Sequence, residues 1–341
     1  MRELKVLQPH ELPPEYAALR QQRRDFEPLL EERIPENAGP EGHKPRWLKV
    51  RSPGGGRYTH VKRLMRTKSL HTVCEEAGCP NIGECWGQGT ATFMILGDIC
   101  TRACRYCAVT TGKPLGLDEE EPARVAEAVR DMGLRHAVIT SVNRDDLEDG
   151  GARMFAETIR AIRRLVSNCS IEVLTPDFRG DLDAVAAVMQ VRPEIFNHNL
   201  ETVPRLYRFV RPGGNYDRAL RVLRHAKSLD DGVLTKSGII CGMGERRDEL
   251  VESMKDLLGG GVNILTLGQY LRPSPNHLPI DRYYTPAEFA ELKRIGEDLG
   301  FDHVEAGPLV RSSYHAREQV DSIGGGAFGE RVGCAVTEAR A

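Results

Sequence analysis

At 341 residues the chain is long enough to bury a full core, either as one large domain with elaborated ends or as two. Its 40% hydrophobic and 28% charged content is that of an ordinary folded protein, and no apolar run approaches the roughly 18 residues a membrane-spanning helix requires. A formal net charge of -2 excludes a long-range pull toward nucleic acid or anionic lipid, although local basic patches would be hidden in that total.

The first thirty residues lack the continuous apolar core of a secretory signal, and Glu3, Glu11, Glu15, Asp25 and Glu27 are scattered where a transit peptide avoids acids. The expected location is the cytoplasm. Residues 1–60 read as a partly irregular N-terminal arm rich in Pro, Glu, Arg and Gly, with one short helix around Glu15 to Phe26 and a loop over Arg51–Arg57. Residues 61–90 form a cysteine-bearing segment. The chain has nine cysteines, an odd number, and six fall between Cys74 and Cys107. In a reducing compartment such crowding points to metal ligands or redox groups rather than a disulfide framework.

From residue 91 to 308 apolar, partly β-branched runs predict strands at Ala91–Gly97, His136–Ser141, Ser170–Leu174, Glu194–Asn197, Leu234–Cys241 and Val262–Gly268, with a weaker seventh at Asp302–Glu305. Helices are predicted between them. Pro122–Met132 carries Val125, Val129 and Met132 on one face, and Thr285-Pro-Ala-Glu288 is a capping box leading into Phe289, Leu292 and Leu299. The pattern predicts an α/β protein with a partial (βα)6-type barrel, open on one side; an open doubly wound sheet is the alternative. The unusual polar sequences follow the strands, where a βα barrel gathers its chemistry on one face. Residues 309–341 form a C-terminal segment and tail.

Cys100-Thr-Arg-Ala-Cys104-Arg-Tyr-Cys107 places three thiols in one loop just past a strand. Three thiolates can hold three irons of a 4Fe–4S cube and leave the fourth open to a small molecule. The other reading is zinc, with His136 or His198 as fourth ligand. Cys74-Glu-Glu-Ala-Gly-Cys79-Pro-Asn-Ile-Gly-Glu-Cys85 supplies a second trio ahead of the first strand, and here too a zinc knuckle is the alternative. Cys169, Cys241 and Cys334 lack partners at ligand spacing and read as small packing residues.

The C-x₃-C-x₂-C loop resembles the radical S-adenosylmethionine superfamily, and the two trios together resemble lipoyl synthases. The likeness runs from about residue 60 to 316 through blocks such as Gly97-Asp-Ile-Cys-Thr-Arg102, Arg144-Asp-Asp-Leu147, Glu172-Val-Leu-Thr-Pro-Asp-Phe178, Phe196-Asn-His-Asn199, Lys236-Ser-Gly238 and Arg311-Ser-Ser-Tyr314. Asn143, His71 and Cys241 depart from the family pattern, and none is a cluster ligand. The N-terminal arm lies outside the likeness.

The resemblance implies two 4Fe–4S clusters and S-adenosylmethionine. Cys100, Cys104 and Cys107 would hold the radical-generating cluster; Cys74, Cys79, Cys85 and Ser313 would hold an auxiliary cluster that serves as sulfur donor. The implied reaction inserts two sulfur atoms at C6 and C8 of a protein-bound octanoyl-lysine, where C–H bonds have no acidity for side chains to exploit. Implied partners are octanoylated lipoyl carrier domains (2-oxoacid dehydrogenase E2 subunits and the glycine cleavage H protein), an electron donor such as flavodoxin or ferredoxin, and an iron–sulfur carrier. No nucleic acid is expected. Thr140, Ser141, Glu172, Asn197, Asn199 and Arg211 are candidates for S-adenosylmethionine contacts, Arg311 for a charge beside a cluster, and Gly238, Gly242 and Gly244 for a turn close to adenine. A radical methylthiotransferase acting on transfer RNA and a non-catalytic metal-binding protein are the competing functions.

Overall fold

The runs of β-branched and apolar residues become the strands of one sheet in the computed structural model, which describes residues 34–39, 42–88, 90–314 and 316–323. The expected helix around Glu15 to Phe26 and the tail with Cys334 lie outside the described residues. The strands are β1 (His71–Thr72), β2 (Thr92–Ile95), β5 (His136–Ser141), β6 (Ser170–Leu174), β7 (Ile195–Asn197), β8 (Leu234–Cys241), β9 (Ile264–Gln269) and β10 (His303–Gly307), hydrogen-bonded in that order. A separate two-stranded clasp pairs β3 (Ile99–Cys100) with β4 (Thr110–Thr111). All pairings from β2 to β10 are parallel; only β1 joins antiparallel, His71 opposite Met94.

A doubly wound sheet reverses its strand order at a switch point. This sheet never does, because each strand lies beside the next one after a helical crossover. Helices Glu121–Asp131, Ala152–Leu165, Leu182–Met189 and Tyr216–Leu229 pack on one another in succession, as the outer ring of a barrel does. No pairing joins β10 back to β1 or β2 among the described residues, so the barrel is partial. Helix Ala316–Ile323 packs against both β5 and β10, and Ile323 contacts Ile195, Leu234 and Ile264 near the strand starts. The C-terminal segment therefore passes over the open side.

Local chemistry fixes the elements. Thr285 accepts from Glu288 N at 3.2 Å while the Glu288 carboxylate accepts from Thr285 N at 2.8 Å, which completes the capping box of helix Pro286–Leu299. Gly268 in β9 has no side chain where one would come 2.1 Å from the Val310 carbonyl, so the C-terminal segment can lie on the strand. The barrel interior is partly ionic: Lys236 Nζ bonds Glu172 at 3.1 Å with both side chains fully buried, and Asn197 donates to Glu172 at 2.8 Å. No described helix is long and apolar enough to cross a membrane.

Candidate functional site

After β2 the backbone turns through left-handed Leu96 and Gly97, then through the β3–β4 clasp that encloses Cys104 and Cys107. Two backbone amides, Arg102 N and Asn143 N, donate to Cys100 Sγ at 3.4 Å each. Hydrogen bonds of this kind to a ligand sulfur tune an iron–sulfur centre. The loop is pinned by Arg102, whose guanidinium bonds Asp145 at 2.6 and 2.8 Å and Asp177 at 2.7 Å. Asp177 in turn accepts from Arg218 at 2.8 Å. Burial works against the charge on Asp177, yet the Arg102 hydrogen bond holds its carboxyl well below the usual range. Arg102 is thus a central residue of the site that the sequence reading did not single out.

Cys100, Cys104 and Cys107 open into a cavity of about 770 Å³. Its barrel wall includes Thr140, Ser141, Asn199, Glu201, Arg211 and Gly238; its opposite wall comes from Gly78 and Pro80 of the cysteine segment and Val310–Ser312 of the C-terminal segment. Asn199 Oδ1 is buried without a hydrogen-bond partner, an acceptor left for a donor-bearing ligand. Arg211 is buried, donating to Asn199 O at 2.8 Å and Tyr207 Oη at 2.9 Å. Gly238 holds the wall back, since a side chain there would meet Asn199 Oδ1 at 2.9 Å.

Four of the six candidate cofactor contacts therefore meet at the cavity. Glu172 and Asn197 do not line it: in the barrel interior Glu172 pairs with Lys236, both charges buried, and Asn197 donates to Glu172. Gly242 and Gly244 also stay off the wall, because their turn closes around Glu245, whose carboxylate accepts from Gly242 N at 2.6 Å and Met243 N at 2.9 Å. Glu201 was missed. It reaches the wall from left-handed backbone at φ 74°, and burial pushes its carboxyl above the ordinary range.

The second trio is built from short pieces. Thr72 caps helix Val73–Glu76, Cys79 N bonds Cys74 O at 3.0 Å, and Cys85 N bonds Asn81 O at 2.9 Å at the start of helix Ile82–Gly87. The C-terminal segment completes it. Asn81 Nδ2 donates to Leu309 O at 2.7 Å, Thr92 Oγ1 donates to Ser313 Oγ at 2.8 Å, and Tyr314 Oη donates to Glu84 at 3.3 Å. The Thr92 amide also faces the Cys74 sulfur, so Ser313 and Cys74 share a neighbour. Trp86, fully buried, turns an indole N–H without a bonded partner toward that same sulfur.

Within each trio the thiols are mutual electrostatic neighbours, and none of the eight described cysteines is in a disulfide. Burial pushes Cys74 up to about 11 and Cys85 and Cys107 up to about 12, so a bound cation is needed to draw them as thiolates. Arg311 is half-buried, with Cys79 as its neighbouring anion-forming group; loss of solvation lowers its proton affinity and Cys79 opposes that. A guanidinium partly withdrawn from water calls for negative charge nearby, which an anionic cluster on three thiolates would supply. Among the described residues no set of three His, Cys, Asp or Glu side chains is arranged to hold a single metal ion. His136 and His198 bond through Nδ1 to Ser170 Oγ and Thr175 O at 2.8 Å, and neither lines the cavity into which the first trio opens. The donor sets, the amides on sulfur and the unpartnered Asn199 oxygen fit iron–sulfur clusters and an amino-acid-bearing cofactor.

Comparison with known proteins agrees with this likeness and extends it, since the match reaches back into the N-terminal arm that the sequence reading had left outside. Residues 94–257 match the family described as the radical SAM superfamily, and residues 18–79 match the N-terminal domain of lipoyl synthase of that family. The lipoyl synthase of Rubrobacter xylanophilus is 64% identical over 84% of this chain and 90% of its own length. That of Bacillus cytotoxicus is 59% identical over 82% of this chain and 94% of its own. Among solved structures, a methylornithine synthase superposes with a TM-score of 0.50 at 14% identity, covering 83% of this chain and 81% of that one. The [FeFe]-hydrogenase maturase HydG gives 0.51 at 17%, covering 67% and 54%. At such identities these two structures speak for the shared fold alone.

Proposed function

The chain belongs to the lipoyl synthase family of the radical SAM superfamily, and from that premise we propose that its cavity performs radical insertion of sulfur at C6 and C8 of a protein-bound octanoyl-lysine. The observation that carries this reading is the wall shared by one cavity: cysteines of the barrel loop on one side, the cysteine segment and Arg311–Ser312 on the other. An acyl chain entering that cavity meets the barrel-loop thiols and the chain neighbours of the second trio, Gly78, Pro80 and Ser312. Neither a transfer-RNA methylthiotransferase nor a non-catalytic metal protein accounts for Ser313 being carried to the Cys74 neighbourhood.

On this reading Cys100, Cys104 and Cys107 hold one 4Fe–4S cluster, and Cys74, Cys79, Cys85 and Ser313 hold a second. When bound, these groups and S-adenosylmethionine supply the one-electron and sulfur chemistry that no side chain can. The protein's own residues do the positioning. Asn199, Glu201, Thr140 and Ser141 orient the cofactor's polar groups, Arg211 offsets negative charge at the loop, and Arg102 fixes the loop to the barrel. Serine is a weaker iron ligand than thiolate, so Ser313 suits a bond that must break. Gly78 and Pro80 of the cysteine segment and Val310–Ser312 of the C-terminal segment complete the cavity against the barrel.

The carriers are the octanoylated domains of 2-oxoacid dehydrogenase E2 subunits and the glycine cleavage H protein, with flavodoxin or ferredoxin as reductant and an iron–sulfur carrier for rebuilding the second cluster. Unpaired cysteines throughout the described residues support a reducing compartment, the cytoplasm. The test is anaerobic turnover of reconstituted protein with S-adenosylmethionine, reductant and an octanoyl-lysyl peptide. The expected products are 5′-deoxyadenosine and a dithiolated peptide. Deoxyadenosine without sulfur in the peptide rejects the substrate.

A further inference from the structure

Between Gly42 and Cys74 the chain contains nine Lys or Arg residues and no Asp or Glu, although acids outnumber bases overall. Helices elsewhere on the surface mix the two signs, as Glu157–Arg160, Glu252–Lys255 and Arg294–Asp298 show. Mixed signs are the ordinary state of a solvated face, whereas a one-signed run repels itself and attracts an opposite partner. Here Arg66 pairs with Glu75, and Lys68 with Glu127 and Asp131. The remaining seven have no acidic partner among the described residues, and all seven are exposed.

The apolar residues of this strip explain its pose. Leu48, Val61 and Met65 are buried, Tyr58 lies against Trp86 at 5.3 Å, and Pro53 packs on Gly83 so closely that a Cβ there would come within 2.9 Å. Anchored this way to the second cysteine segment, the strip turns its cations outward. It also reaches the cavity: Lys44 and Val50 form part of its wall, and Val50 is 46% exposed. A basic strip with an apolar foot thus borders the mouth through which the acyl chain must enter.

We propose that this strip is the docking surface for an acidic face of the protein that presents the octanoyl-lysine. The proposal rests on the reading above that the substrate is carried on a protein. A carrier too large to enter the cavity must seat its folded body at the mouth, and the seat offered there is cationic. Complementary charge at such a rim speeds encounter and fixes orientation, while direct ion pairs at the exposed edge add little affinity individually. Docking therefore weakens as ionic strength rises, over a screening distance of about 10 Å at 0.1 M salt.

The experiment compares anaerobically reconstituted wild type with Lys49→Glu/Arg51→Glu/Arg63→Glu, and with a control triple on other surfaces, Arg164→Glu/Arg192→Glu/Arg224→Glu. Affinity for a labelled, octanoylated acidic carrier domain is measured at low and high salt, alongside turnover of carrier and of a short uncharged octanoyl-lysyl peptide. The strip triple is expected to weaken carrier binding at least about tenfold at low salt, raise KM for carrier with kcat unchanged, and leave peptide turnover intact, which also verifies its folding. The milder Lys49→Gln/Arg51→Gln/Arg63→Gln triple is expected to fall between. Unchanged carrier affinity in the strip triple, an equal loss in the control triple, or equal losses on carrier and peptide overturns the proposal. So does a nucleic acid duplex that occupies the strip without competing with carrier. Carrier binding that obeys the strip with no sulfur inserted anywhere rejects the reaction and leaves the docking surface standing.

Discussion

Cys100, Cys104 and Cys107 belong to a single loop on a barrel strand, whereas the site around Cys74, Cys79 and Cys85 is complete only when a segment more than two hundred residues away is laid beside it. The first is locked by a buried ionic network: Arg102 between Asp145 and Asp177, with Arg218 behind. The second is closed by single hydrogen bonds from Asn81, Thr92 and Tyr314. Removing one partner of a buried ion pair costs about 3–5 kcal/mol, while one ordinary hydrogen bond contributes about 1 kcal/mol. The loop site is therefore as rigid as the barrel, and the other can open without unfolding it. On the proposed function, a cluster that must stay intact suits the first construction, and one that surrenders sulfur suits the second.

The largest expected effect tests whether the trios are separate. Cys107→Ala should lower 5′-deoxyadenosine formation by at least about a hundredfold, since even indirect supports of a metal ligand are worth 10–100-fold. Iron should fall from about eight to about four per chain. Cys85→Ala should lose the same amount of iron and keep deoxyadenosine formation. Equal loss of deoxyadenosine in both variants would mean one interdependent centre and dissolve the comparison.

Acid should strike the barrel that supports the loop site. Burial disfavours the charge on Glu172, but Lys236 and the His136 and Asn197 bonds hold its carboxyl down to about 2. Its folded value lies below its unfolded one, so its contribution is complete above roughly pH 4.5 and is lost as pH falls toward 2, an effect of about 3 kcal/mol. The thermal midpoint of wild type should drop across that window. Glu172→Gln should start lower and vary less with pH, and a parallel pH dependence in the two proteins would deny the buried pair this role.

Ser313→Ala addresses the other site. Sulfur insertion should fall roughly tenfold, the scale of a ligand-sphere change, while deoxyadenosine forms within about twofold of wild type. Joint loss of both products would place Ser313 in the general fold instead.

The same local-versus-distant distinction explains what could be read from the residues. Strands His136–Ser141, Ser170–Leu174 and Leu234–Cys241 have the expected bounds because apolar and β-branched runs carry their own signal. The fourth begins one residue late, at Ile195, since the Glu194 side chain turns back to accept from Ile171 N and Arg163. The two-residue β1 was invisible, because it is a strand only by lying on Met94 and Phe93. Both cysteine trios were legible from spacing. Arg102 was not, since its partners stand 43 and 75 residues away. Glu172 and Asn197 looked like cofactor ligands because polar residues on a strand suggest a site; inside this partial barrel Glu172 neutralises Lys236 and Asn197 donates to Glu172. Glu201 reaches the cavity through a backbone conformation that its side chain does not advertise.

Asn81→Ala should give the smallest effect and the finest discrimination. It removes the Asn81–Leu309 hydrogen bond, far from every thiol of the barrel loop in chain order, and should cost about 1 kcal/mol. In a molecule of uniform rigidity that loss would be spread over both activities and be scarcely measurable. Because this bond is one of a few that hold the C-terminal segment against the second trio, the loss should concentrate there. Hydrogen exchange should quicken in 309–314 and in 79–85 while β5 and β6 stay protected, and sulfur insertion should fall several-fold with deoxyadenosine unchanged. Uniform exchange would show that the two sites share one rigid frame, and the ease with which Ser313 leaves would then have to be sought in the iron–oxygen bond alone.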